Sequence, residues 1–132
     1  MATLTLEMKE MIAKQQCFVG TVNADGTPNV APKRSTRVLS DDSIMFTEGT
    51  GGATYANIKR GSKVSVSVVN REIIDGYRFV GTALLHESGE LYEQAVVMSA
   101  KIGMPKPKAV TVIHIEEIHS LKPGPNAGKI IS

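Results

Sequence analysis

The sequence predicts a mainly β fold: one antiparallel sheet closed into a barrel, with short helices flanking it. Three observations carry this. The periodic segments run helix, three strands, helix, two strands, helix, strand, and short hairpin links outnumber helical crossovers. No βαβ spacing is present, so a parallel sheet has no support. Gly81 lies inside an apolar strand, as at a barrel corner where backbones approach closely.

Each element has a local cause. Leu4, Met8, Met11 and Ile12 recur at helical spacing, and Thr5 is placed to cap a helix over 5–14. Cys17 to Ala24 is rich in β-branched and aromatic residues and ends at Asp25-Gly26, a tight-hairpin signal. The return strand is expected from Pro28 to Leu39, irregular or at an edge because Pro28 and Pro32 cannot donate ladder hydrogen bonds. Ser43 to Glu48 is the next strand. After Gly49-Thr50-Gly51-Gly52 a short helix is expected over 54–60, stopped by Gly61. Lys63 to Asn70 alternates Val64, Val66 and Val68 against Ser65 and Ser67. Tyr77 to Leu85 follows. Ser88 is placed to cap a third helix carrying Leu91, Ala95, Met98 and Ile102 along one face, and Ala109 to Leu121 is the last strand.

At 132 residues the chain reads as a single domain, 1–132, with 42% apolar and 21% charged residues. Its formal charge of +2 is too small to mark a nucleic-acid protein. Cys17 stands alone, which excludes an internal disulfide and a zinc cluster. The amino-terminal residues lack a basic stretch followed by an apolar one, and no apolar run is long enough to span a bilayer, so a cytoplasmic protein without membrane partners is expected.

Side-chain chemistry is sparse. Gly49-Thr50-Gly51 begins like a dinucleotide fingerprint, but Thr54 stands where its third glycine belongs. Alternation along the last strand places His114 and His119 on opposite faces, and likewise Glu116 and Glu117, so neither pair is expected to act together. No nucleophile elbow or Ser/His/Asp set is present. Neither a catalytic side chain nor a metal site is therefore expected, and any reaction would be carried by a cofactor.

Two segments are suited to an anion. Pro32-Lys33-Arg34-Ser35-Thr36-Arg37 concentrates cations and hydroxyls, although such cations also serve simply to protect a strand edge. Gly49 to Asn57 is a glycine-rich turn entering a short helix, with Thr54 and Asn57 on one helical face. One short hairpin joins the two segments, so they can face one another across a cleft.

The ordered set Gly26-Thr27-Pro28-Asn29-Val30-Ala31-Pro32-Lys33, Ser43-Ile44-Met45-Phe46-Thr47, Ala53-Thr54-Tyr55-Ala56-Asn57-Ile58 with Lys63-Val64-Ser65-Val66, and Tyr77-Arg78-Phe79-Val80-Gly81-Thr82-Ala83 resembles the FMN-binding split-barrel proteins related to pyridoxamine 5′-phosphate oxidase. It is most similar to their small FMN-binding members. The resemblance spans 17–121 and implies a six-stranded Greek-key split barrel, a homodimer, and FMN in a groove at the subunit interface. Carried over, Pro32, Lys33, Arg34 and Ser35 lie along the cofactor, with Lys33 or Arg34 near its phosphate. Thr47, Glu48, Gly49, Thr50 and Gly51 run past the ribityl chain and ring, and Thr54 and Asn57 meet the phosphate or support the turn. The tail at Pro123-Gly124 is expected to reach the partner's flavin.

Departures from the pattern shape the expected function. Ala53 replaces a lysine common in related short proteins, and the longer C-terminal segment that holds substrate in true pyridoxamine phosphate oxidases has no counterpart. The resemblance therefore implies a flavin-dependent oxidoreductase or electron-transfer protein, with vitamin B6 oxidation not expected and the electron partner unspecified. Two alternatives stay open: the same barrel using deazaflavin F420 or haem, the latter with His86 or His114 as a ligand, and a non-catalytic flavin-binding or sensing dimer.

Overall fold

The computed structural model describes residues 2–132. The elements are α1 (Leu6–Lys14), β1 (Cys17–Val22), β2 (Pro28–Pro32), β3 (Arg37–Ser40), β4 (Ser43–Glu48), α2 (Ala53–Lys59), β5 (Val64–Asn70), β6 (Asp75–His86), α3 (Glu90–Lys101) and β7 (Ala109–Ser120). All strands join one antiparallel sheet of seven strands in the order β2-β1-β5-β6-β7-β4-β3.

The strand expected over 28–39 is two strands, which raises the count from six to seven. Lys33 donates its N–H to the Cys17 carbonyl (3.1 Å), after which the chain leaves β1. Thr36 then closes a turn, its N–H and hydroxyl both donating to the Lys33 carbonyl at 3.1 and 2.7 Å. The break also curls the sheet. β2 and β3 are its opposite edges, yet only residues 33–36 link them. The Cα steps from Pro32 to Arg37 reach at most about 18 Å. A flat sheet of this width would hold its edges about 29 Å apart, at ~4.8 Å per strand. The sheet must therefore roll into a barrel, left split along the β2 and β3 edges.

Inside the barrel, Val19, Ile44, Phe46, Val66, Phe79, Ile113 and Ile118 are fully buried. α1 plugs one end with Met8, Met11 and Ile12. Its capping box is unusual: the Thr5 side chain accepts from the Met8 N–H, and the Met8 sulfur, standing where Glu usually does, accepts from the Thr5 N–H. At α3 the expected Ser88 cap does not form. Gly89 is the N-cap, with φ of 92°, and offers no side chain.

Gly81 marks a β-bulge. Val80 pairs with Glu117 and Gly81 with Ile115, leaving Glu116 as the extra residue on β7. The inward positions thus change from Ile113 and Ile115 to Ile118. This overturns the strict alternation expected there. His114 and His119 both leave the barrel on its outer side, and Glu116 and Glu117 are both exposed. Arg78 Nε donates to His119 Nδ1 at 2.8 Å, so His119 carries its proton on Nε2, 3.0 Å from Glu117.

The tail folds back along its own chain. Where β4 stops, Ser120 donates to the Lys129 carbonyl (2.9 Å) and Ile131 to the Ile118 carbonyl (2.8 Å), covering the exposed edge of β7. Among the described residues no helix is long and apolar enough to cross a membrane.

Candidate functional site

Alternation along β4 sends Ile44, Phe46 and Glu48 into the barrel and Met45 and Thr47 outward. α3 packs outside the barrel over Met45, Val110 and Val112, through Leu91 and Ala95. Between α3 and the 33–37 link opens a cleft of about 910 Å³, within the range of small-molecule sites.

One wall is polar and cationic. It holds Lys33, Arg34, Ser35, Thr36, Arg37, Thr47, Gly49 and Thr50. Ser35 pins it to β4, its Oγ accepting from the Thr47 N–H (2.8 Å) and donating to the Thr47 carbonyl (3.3 Å). Arg37 donates to the Ser35 carbonyl (2.8 Å) and lies 3.4 Å from Thr47 Oγ1, so its guanidinium is held against the wall. Burial pulls the Arg37 pKa below its ordinary value, which starts so high that the group stays charged. Arg34 is exposed and makes no hydrogen bond or ion pair among the described residues.

Lys33 behaves differently. Its Nζ lies 3.2 Å from Glu48 Oε1 and 5.5 Å from the centre of the Phe46 ring. Glu48 is buried, and its other oxygen accepts the Gly51 N–H at 3.3 Å. The pair neutralises two charges at the barrel mouth and joins the 33–36 link to the glycine turn.

The opposite wall is apolar: Ala95, Met98, Ile102, Met104, Pro105 and Pro107, with Gln94 and Ser99 as its polar members. Met98, Ile102 and Met104 are 59%, 68% and 58% exposed. The helical spacing of Ala95, Met98 and Ile102 was legible, but it reads as a core face. Ala95 alone of the three is core.

The structure thus brings Pro32, Lys33, Arg34, Ser35, Thr47, Gly49 and Thr50 to one cleft. Glu48 and Gly51 lie behind it. Thr54 and Asn57 lie outside it, in a polar network that fastens α2 to β1 and β2. Asn57 donates to Thr21 Oγ1 (2.9 Å) and Asn23 Oδ1 (2.8 Å) and accepts from Arg60 (2.6 Å). Thr54 Oγ1 accepts from Asn29 at 3.2 Å. With these bonds made, both residues support the turn and its helix. Thr36 and Arg37, part of the cationic segment but not of the site carried over for FMN, also line the cleft, and the α3 wall was not foreseen as part of it.

This fold defines a split-barrel protein with a cleft between α3 and the 33–37 link. Residues 4–122 match the pyridoxamine 5′-phosphate oxidase family, and the chain belongs to it. HupZ of Group A Streptococcus is 44% identical and superposes with a TM-score of 0.84, over 95% of this chain and 99% of that one. A candidate pyridoxamine 5′-phosphate oxidase from Lactobacillus delbrueckii is 33% identical, with a TM-score of 0.79, over 89% of this chain and 94% of that one. An uncharacterised protein of Methanocaldococcus jannaschii, MJ0282, is 33% identical over 98% of this chain and 88% of its own length.

Proposed function

We propose that the cleft binds FMN, with the phosphate on Arg34 and Arg37 and the ring against the α3 wall, in a homodimeric oxidoreductase or electron-transfer protein. The observation that carries this is the division of one cleft into a cationic wall and an apolar wall. FMN joins a dianionic phosphate to a flat, largely apolar ring, so the residues present fit it. Lys33 already has a buried carboxylate partner, whereas Arg34 has none among the described residues. Arg37 adds a guanidinium whose fork suits phosphate oxygens.

FMN, when bound, supplies one- and two-electron redox chemistry. The chain's own residues bind and orient it. Among the described residues, no His, Asp, Glu, Cys or Tyr lines the cleft, and Lys33, its one group of ordinary acid/base type, is paired with Glu48. The homodimer is supported by the outward sheet face, where Phe18, Val22 and Val30 are exposed on β1 and β2, next to Pro32 at the cleft's edge.

The test is a spectrum of the purified protein, followed by titration with FMN and riboflavin and by light scattering for mass. A flavin spectrum, or uptake of FMN at least tenfold tighter than of riboflavin, is expected from charge-assisted phosphate contacts. Failure to bind FMN, or equal affinity for the two, overturns the assignment. Turnover with NAD(P)H and an artificial acceptor then separates an oxidoreductase from a flavin store. An F420 or haem spectrum would identify a different cofactor directly.

A further inference from the structure

We infer that Glu48 sets the anion specificity of the cleft by withholding Lys33 from it. This deepens the phosphate reading above and rests on it. Lys33 lines the cleft, and yet its ammonium is turned to Glu48 Oε1, 3.2 Å away. The Glu48 side chain is 2% exposed, with its second oxygen engaged by the Gly51 N–H. The carboxylate therefore cannot swing out to solvent, and it is Lys33, with 19% of its side chain exposed and a flexible stem, that can change partners. With Lys33 neutralised, two cations face the cleft, Arg34 and Arg37. Two guanidinium groups match the charge of one phosphomonoester dianion. A third free cation would favour more highly charged anions such as a diphosphate.

The signs of the outcomes follow from charge. Glu48→Gln keeps the shape of residue 48, removes the competing carboxylate and frees Lys33. Affinity for FMN and for inorganic phosphate should rise roughly three- to tenfold, that for inorganic pyrophosphate more, and that for riboflavin not at all. Damage to the fold would lower these affinities, so a rise cannot come from it. In the paired Lys33→Met, Glu48→Gln variant both charges are gone, and phosphate affinity should return to within threefold of the unaltered protein. Arg34→Met or Arg37→Met should weaken phosphate and FMN at least tenfold.

Circular dichroism and melting curves establish that each variant is folded, and the paired variant leaves no unpartnered charge to unfold it. A Glu48→Gln protein that binds phosphate no better than the unaltered one overturns the inference. So does a paired variant weaker by more than threefold, because Lys33 would then grip the anion itself. If the unaltered protein ignores FMN but the inorganic phosphate series behaves as stated, the flavin reading fails and this one stands. Binding of neither FMN nor inorganic phosphate overturns both.

Discussion

The carbonyl of His114 occupies the space that a side chain on Gly81 would need. A Cβ built at Gly81 overlaps that oxygen and comes within 3.2 Å of the Ile115 Cα. The contact exists because the bulge presses β6 onto β7. Gly81→Ala must either open the bulge or lose the corner. A loss of at least about 3 kcal/mol in denaturant unfolding is expected, among the largest for any single substitution here.

Thr111 carries the opposite signature. It is fully buried, and its Oγ1 is the one buried side-chain polar atom without a hydrogen-bond partner among the described residues. Thr111→Val replaces the hydroxyl with a methyl of similar size. The protein should gain about 1 kcal/mol, a rise in melting temperature of roughly 3–5 °C.

Asn57 tests the division between support and site. Asn57→Ala removes the hydrogen bonds to Thr21, Asn23 and Arg60, and should cost about 2 kcal/mol. The ratio of FMN to riboflavin affinity should not move. A ratio that collapses while stability holds would return Asn57 to the phosphate.

Met98→Glu probes the apolar wall. Met98 is largely exposed, so stability should change by no more than about 0.5 kcal/mol. A carboxylate on that wall should weaken FMN and riboflavin alike, by roughly tenfold, because it acts on the ring that both share. Calorimetric titration of both ligands checks this.

Cys17 is buried, and burial pushes its thiol up to about 11 from 9.0. A folded-state pKa raised above the unfolded value leaves the group without effect below about pH 9. Stability then falls as pH rises toward 11, because the unfolded chain ionises first. The decline in unfolding free energy between pH 9 and 11 should be shallower in Cys17→Ala, and the native thiol should resist a disulfide reagent at pH 8 until the protein unfolds.

Much of the fold was legible because its causes are local. Thr5 ahead of an apolar period of 3.6, Asp25-Gly26 between strands, and the Val64, Val66, Val68 alternation each specify their element without reference to the rest of the chain. Pro32 and Gly81 were legible as irregularities, but the form of each was not. The split of 28–39 depends on Thr36 finding the Lys33 carbonyl, and on β3 pairing with β4 rather than extending β2. Alternation failed on β7 because one extra residue, Glu116, reverses the parity of everything after it.

By itself the sequence determined the periodicities, the breakers and the cations after Pro32, since these follow from side-chain type and spacing. Tertiary structure alone decided how the charges are used. Lys33, Arg34 and Arg37 are near neighbours in one segment, but only Lys33 meets the carboxylate that β4 carries into the barrel mouth. Likewise α3 is amphipathic in sequence, yet which of its apolar residues become core and which line a cleft depends on where β4 and β7 end beneath it. Burial and charge pairing are properties of distant segments brought together, and no local pattern encodes them.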